Sequence, residues 1–448
     1  MHQFEYLKME NKKLEELQQV IVQPSNPKKD QLLETFKSLD FSVEGEYYQN
    51  LRKEALSEIE RLELPTSSTE FWKYTRLGKI VNKKYQVVKG VISSIQPFLI
   101  PNLEANIIVL VNGFYNAELS TIKEQEGIIV SSLSQSKQNN IDVLKASFNQ
   151  YTKNRNELFL AINNACHTDG VFIQIGKNKI AEKPYHIINI TTHDNSITQT
   201  RNLFVADATS SIKIIESFVN FNGKENFINS VSEIVVGENA QLEYNKFQDK
   251  EEENYSISTE YVYQKANSHF TINTATFHGA LVRNNLTIEV DAENCETNLS
   301  GLYLGKNTDH IDNHTIVDHK KPHCNSNEVY RGVLDDNATG VFNGKVFVRQ
   351  HAQKTNAFQK NNNILLSDNA VVNSKPELEI YADDVKCSHG STTGQIDEEA
   401  VFYLQSRGVS RKSAINLMIN AFAKDALEKV SIEALHNYIN SKIEERFA

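Results

Sequence analysis

Between about residue 80 and residue 395 the chain consists largely of short β-branched runs broken by small polar clusters. IIVLV, GIIVSSL, GVFIQI, HIINITT, IKIIE, EIVVG, FTINTATF and LTIEV recur with Asn, Asp, Gly and Ser between them. That alternation is the pattern of strands and tight corners. No proline falls between Pro184 and Pro322, and no long helical period interrupts the strands. One corner signal repeats: Glu238-Asn239-Ala240, Asp336-Asn337-Ala338 and Asp368-Asn369-Ala370, with looser echoes at Asp207-Ala208, Ala266-Asn267 and Asp291-Ala292. The spacing is irregular, roughly 25 to 45 residues. One coil of short strands cannot bury its own apolar side, so the pattern predicts a β-solenoid whose coils stack on one another. A β-sandwich is the alternative that such strands allow.

Helical regions flank this core, giving a mainly β fold with helical ends. In residues 1–79, Leu14, Leu17 and Ile21 fall at i, i+3 and i+7, and QPSNPKK then breaks the period with two prolines. Ala55, Leu56, Ile59 and Leu62 mark a second helix, ended by Pro65. Ser67-Ser-Thr-Glu70 has the form of a capping box before Phe71 and Trp72. In residues 396–448, Asp397 reads as an N-cap and Arg407-Gly408 as a stop. A helix from Ser410 carries Ile415, Met418, Phe422 and Ala426, widened by Ala414, Leu417 and Ala421. Ser431 is the expected cap of a last helix bearing Ile432, Leu435, Tyr438, Ile439 and Ile443. These helices either cap the open end of the solenoid or form a docking surface for a partner.

A formal net charge of −10 and a pI near 5.8 argue against nucleic acid or an anionic membrane as the main partner. The four cysteines, Cys166, Cys295, Cys324 and Cys387, are too few and too scattered for a disulfide framework and fit reduced thiols. MHQFEYLKMENKKLEEL has no apolar core of a secretory signal, and the longest apolar runs are too short to span a bilayer. The expectation is a soluble cytoplasmic protein.

The stretch VKCSHGSTTG holds the main candidate for chemistry. On an extended strand Cys387 and His389 share one face, with Cα atoms roughly 6.5–7 Å apart. Both can reach one metal, at bonds of about 2.3 Å for sulfur and 2.0–2.1 Å for nitrogen, but two ligands do not close a tetrahedral site. The plainer reading is a buried Cys beside a turn His. A second cluster, His310, His314, His319 and His323 with Cys324, reads as structural. HIDNHTIVDH favours a strand, along which four residues span about 13 Å. Gly301 to Lys306 and Gly340 to Lys345 leave three residues between their glycines where a P-loop needs four, and no G-x-S-x-G elbow is present. Asp335-Asp336 and Asp383-Asp384 read as solvated corners. A β-helix carbohydrate-active enzyme or binding protein, the alternative class, would need such a pair beside aromatic platforms.

YRGVLDD, FNGKVFV, AQKTNAFQKNNNILLS, KPELEIYADDVKCSHG and FYLQSRGV together resemble the SufB/SufD family of iron–sulfur cluster assembly proteins. Glu70-Phe-Trp-Lys-Tyr-Thr75 and the blocks Thr168-Asp169-Gly170 and Glu182-Lys183-Pro184 agree. The likeness covers most of the chain from about residue 50, while residues 1–28 match nothing recognised. Where a SufB-type chain has a Cys in a GD-x-C-G block, this chain reads Ser367-Asp368-Asn369-Ala370. His389 falls at the His of the downstream EHEA block, so the resemblance is to the SufD type. It implies a non-catalytic subunit with no permanent cofactor. It implies pairing with SufB through the core, docking of the ATPase SufC on the C-terminal helices, and ATP bound by SufC rather than by this chain. It allows a homodimer. It places His389, and less strongly Cys387, where transient iron or a nascent cluster is shared with SufB.

Overall fold

The computed structural model describes residues 26–139, 141–153, 155–249 and 253–447. The helix expected around Leu14, Leu17 and Ile21 lies outside them. The core is a β-solenoid of about eight turns. Consecutive strands alternate between a ten-stranded and a nine-stranded sheet, so each strand pairs with the next but one. Along the larger sheet the parallel register carries Gln241 to His269, Glu296, Asn325, Asn356 and Lys386. The rungs are therefore superimposed, about 4.8 Å apart.

The corners explain the recurring Asn and Asp. Asn239, Asn267, Asn294, Asn307 and Asp336 all have positive φ, between 51° and 59°. Asn and Asp tolerate this left-handed conformation because their short side chains bond locally. Inside, facing apolar rows such as Ile173, Ile187, Phe204, Ile234, Tyr244, Ile272 and Ile288 form one continuous cluster.

The two outer faces are covered differently. On the nine-stranded sheet, helices Glu46–Arg61 and Leu158–Cys166 pack together, and their Ile59, Phe159 and Ile162, with Trp72 and Ile80 from the segment between them, cluster with Phe227 and Ile257. The Arg283 guanidinium lies 3.9 Å over the Trp72 ring. Asn26 and Pro27 begin the helix Pro27–Glu34 rather than breaking one, with Asn26 accepting from the Lys28 N–H. Proline suits the first helical turn because its missing N–H has no partner there anyway. The capping box at Ser67 does not form. Thr69 precedes a one-turn 3₁₀ segment, Glu70–Trp72, without a side-chain cap, and the Thr66 and Ser68 hydroxyls bond each other at 2.6 Å.

On the ten-stranded sheet, helices Arg411–Leu427 and Glu433–Phe447 lie along the flank. Ile419, Ala423, Leu427, Leu435, Ile439 and Ile443 pack on Phe247, Ala275, Phe277, Leu302 and Val333. These helices cover a face and do not plug an end. The buried stripe is rotated from the expected one, leaving Leu417 and Ala421 exposed. Asp397 and Ser410 cap as expected, and Gly408 ends the first helix at φ 88°. The Ser431 hydroxyl instead bonds Glu243.

The two ends of the stack also differ. At the N-terminal end the parallel order stops in antiparallel pairings, Val111 with Phe114 and Ser132 with Val171. At the C-terminal end the strands Val371–Ile380 and Lys386–Gln395 are the outermost members of their sheets.

Candidate metal centre at the open end

Cys387 and His389 lie on the strand Lys386–Gln395. Register shows which way they point. Cys387, His389, Ser391 and Thr393 stand on Ala357, Gln359, Asn361 and Asn363. All four of those are buried, inward-facing residues of the preceding rung. Cys387 and His389 therefore occupy interior positions of the solenoid, uncovered because no further coil of the chain follows.

The two side chains are not equivalent. Cys387 packs partly into an apolar cluster with Val346, Val348, Ala352, Ala357 and Ala382. Burial pushes its thiol above the ordinary value, against a weaker lowering by the Ala357 backbone. A raised thiol holds little of the thiolate that binds metal. His389 is exposed, and an imidazole ligates through a ring-nitrogen lone pair. Among the described residues no group of three or more His, Cys, Asp or Glu side chains could hold an ion. Among the described residues the site has at most these two donors.

Polar residues continue beneath the open rung. Gln359 Nε2 donates to Glu328 Oε2 at 2.7 Å, and Thr315 Oγ1 donates to Glu328 Oε1 at 2.6 Å. Burial raises the Glu328 carboxyl to about 7, while these two donors pull it down. Sequence reasoning missed both residues. The alternation in NSNEVYRGVL places Glu328 in phase with Ser326, Tyr330 and Leu334, which was the available signal.

The other candidates take structural roles. His310 to His319 is a strand. Thr75 Oγ1 lies 2.8 Å from His310 Nε2, His314 Nε2 lies 2.9 Å from Asp312, and His319 Nε2 lies 2.9 Å from Ser326 Oγ. Burial lowers all three imidazoles, His319 to about 4. Cys324 is buried beside Cys295, away from these rings, and each thiol donates to the Ala292 carbonyl. Gly301, Gly305, Gly340 and Gly344 lie within strands, not in a phosphate loop. At Gly301 a Cβ would fall 2.1 Å from the Tyr330 ring, so the glycine makes room for an inward aromatic. Asp335 and Asp336 fix a corner: Asp335 accepts from the Asp336 N–H, and Asp336 from the Asn307 N–H. Asp384 donates its N–H to Gln353 at another corner. Neither pair is arranged for acid–base work.

A second exposed feature is the helix Glu398–Ser406, which buries only Val401. Phe402 is 72% and Tyr403 57% exposed.

The fold and site define a parallel β-solenoid protein with an uncovered last rung and helices packed on both flanks. Comparison with known proteins gives the family. Residues 188–422 match the model of the SufBD core domain of SUF-system FeS cluster assembly, and residues 28–187 match the SufBD protein N-terminal region. The chain is 30% identical over 412 residues to the iron–sulfur cluster assembly protein SufD of Escherichia coli, covering 91% of this chain and 95% of that one. It is 31% identical over 400 residues to a SufBD family protein of Synechocystis, covering 86% and 88%. It is 24% identical over 421 residues to SufD of Bacillus subtilis, covering 90% and 94%. The chain belongs to the SufB/SufD family of iron–sulfur cluster assembly proteins, as a SufD-type member. These relatives carry the names of assembly proteins, not enzymes. Among the described residues no helix is long and apolar enough to cross a membrane.

Proposed function

We propose that the chain is the SufD-type subunit of a cluster-assembly scaffold, joined at its open end to a SufB-type partner. The observation that carries this is the uncovered last rung. Two interior-facing donors sit at an unclosed sheet edge, and closing that edge is the way a second subunit would complete their coordination. Transient iron or a nascent cluster is the cargo, held by His389 with ligands from the partner. Cys387 is the weaker donor because burial disfavours its thiolate.

A shared site suits the task. Few ligands from each chain bind less tightly than a closed four-cysteine site on one, and the cargo is released when the subunits shift. The exposed Phe402 and Tyr403 support docking of a SufC-type ATPase on the C-terminal helices. Movement of that ATPase would open the site, with nucleotide bound by the ATPase. The chain itself carries no catalytic step and works in the cytoplasm.

His389→Ala tests the site. The three-protein complex should co-purify intact while anaerobic iron and sulfide incorporation falls. Incorporation at the wild-type rate would remove His389 from the site.

A further inference from the structure

Gln359 lies directly below His389 in the parallel ladder and directly above Glu328. It is 1% exposed. Its carboxamide is pinned at one end. Thr315 and Gln359 both donate to Glu328, one to each oxygen. The amide is also pressed against the opposite sheet, where a Cβ at Gly344 would fall 2.4 Å from Gln359 Nε2. With Nε2 committed to Glu328, Oε1 must point away from that carboxylate. Gln359 Oε1 is buried and has no hydrogen-bond partner among the described residues. An orphaned buried acceptor of this kind calls for an explanation. Oε1 is the acceptor next in line beneath the rung that carries His389.

We infer that Gln359, oriented by Glu328, is a positioning residue for His389: when the exposed imidazole turns inward over the rung, one ring N–H donates to the unpartnered Gln359 Oε1. A histidine that binds metal through one nitrogen commonly donates the other N–H to a fixed acceptor, which sets the tautomer and aims the free lone pair. Here that lone pair is aimed out of the open end, toward the partner. Glu328 acts one step further back. Once ionised, above about pH 7, it keeps the Gln359 amide from flipping, because a flipped amide would set its oxygen against a carboxylate. The inference rests on the reading of His389 as a ligand, but the two fail separately.

The test reads the tautomer of His389 by ¹⁵N NMR of imidazole-labelled full-length chain, at a pH where the ring is neutral. The His389 signals are assigned by their loss in His389→Gln. In the wild type the ratio should be shifted roughly fivefold from that of free imidazole toward the proton on the inward nitrogen, the size of one net hydrogen bond. Gln359→Leu should collapse that bias toward the free-imidazole ratio. Glu328→Gln leaves His389 and Gln359 in place but frees the amide to turn, and should reduce the bias as well. It also serves if Gln359→Leu does not fold. A tautomer ratio unchanged within twofold in the folded variants would overturn the inference. Normal cluster assembly by His389→Ala would instead overturn the ligand reading and leave the tautomer result standing.

Discussion

Glu328→Gln should make the protein more stable as pH rises relative to wild type. Glu328 is 2% exposed, and its carboxyl is held at about 7 against an ordinary 4.5, with burial the largest cause. The folded state therefore binds a proton that the unfolded state releases. The stability contributed by this group is fully present below pH 4.5 and is lost as pH rises through 7. Each pH unit in that window costs about 1.4 kcal/mol, so the loss approaches about 3 kcal/mol by pH 8. Glutamine keeps the volume and carries no titration. Other buried acids, such as Glu157 and Glu216, are also raised by burial, but they titrate in both proteins and cancel in the difference. Urea unfolding of wild type and variant at intervals from pH 5 to pH 8 measures that difference. Variant minus wild type should grow by about 2.5 kcal/mol across this range. A difference that stays flat, or shrinks with rising pH, would show that Glu328 is ionised throughout and refute the account of its burial.

Gly301→Val should unfold the mid-stack coil, because the Tyr330 ring occupies the space a Cβ needs; a melting temperature equal to wild type would contradict this. Replacing both Phe402 and Tyr403 by Ser should abolish co-purification of the ATPase while shifting stability by less than about 0.5 kcal/mol, as expected for exposed positions. Retained binding would place the docking surface elsewhere. Crosslinking the C-terminal helices of the assembled complex should block cluster formation, and formation at the uncrosslinked rate would rule out opening by ATPase movement.

Much of this fold could be read from the sequence, and for a local reason. A strand's alternation and an Asn or Asp in a left-handed corner are set within a few residues, so Asn239 in Glu238-Asn239-Ala240 and Asp336 in Asp336-Asn337-Ala338 announce their turns. The helix Leu158–Cys166 could not be read the same way. All nine residues of LFLAINNAC are buried, Asn163 and Asn164 included, so its two polar residues do not mark an exposed face. On Arg411–Leu427 the expected Ala414 and Ala426 are buried, but Ile419, Ala423 and Leu427 take the remaining buried positions, because apolar residues lie on both sides of the stripe and only packing on the sheet selects among them. For the site, the i, i+2 spacing of Cys387 and His389 was legible, but which side of the strand faces inward was not. That depends on register with Ala357 and Gln359, some thirty residues earlier in the chain.

The open end also bears on how the chain must be produced. The strand Lys386–Gln395 carries a single charged residue, Lys386. It has neither the proline nor the run of charges with which exposed edges usually resist growth. Its free amides and carbonyls are a template for further rungs. A cell that makes this chain in excess of whatever closes that end accumulates an adhesive surface, and the surplus is drawn toward self-association. If a SufB-type partner closes that end as proposed, matched synthesis of the two chains would protect solubility as well as stoichiometry.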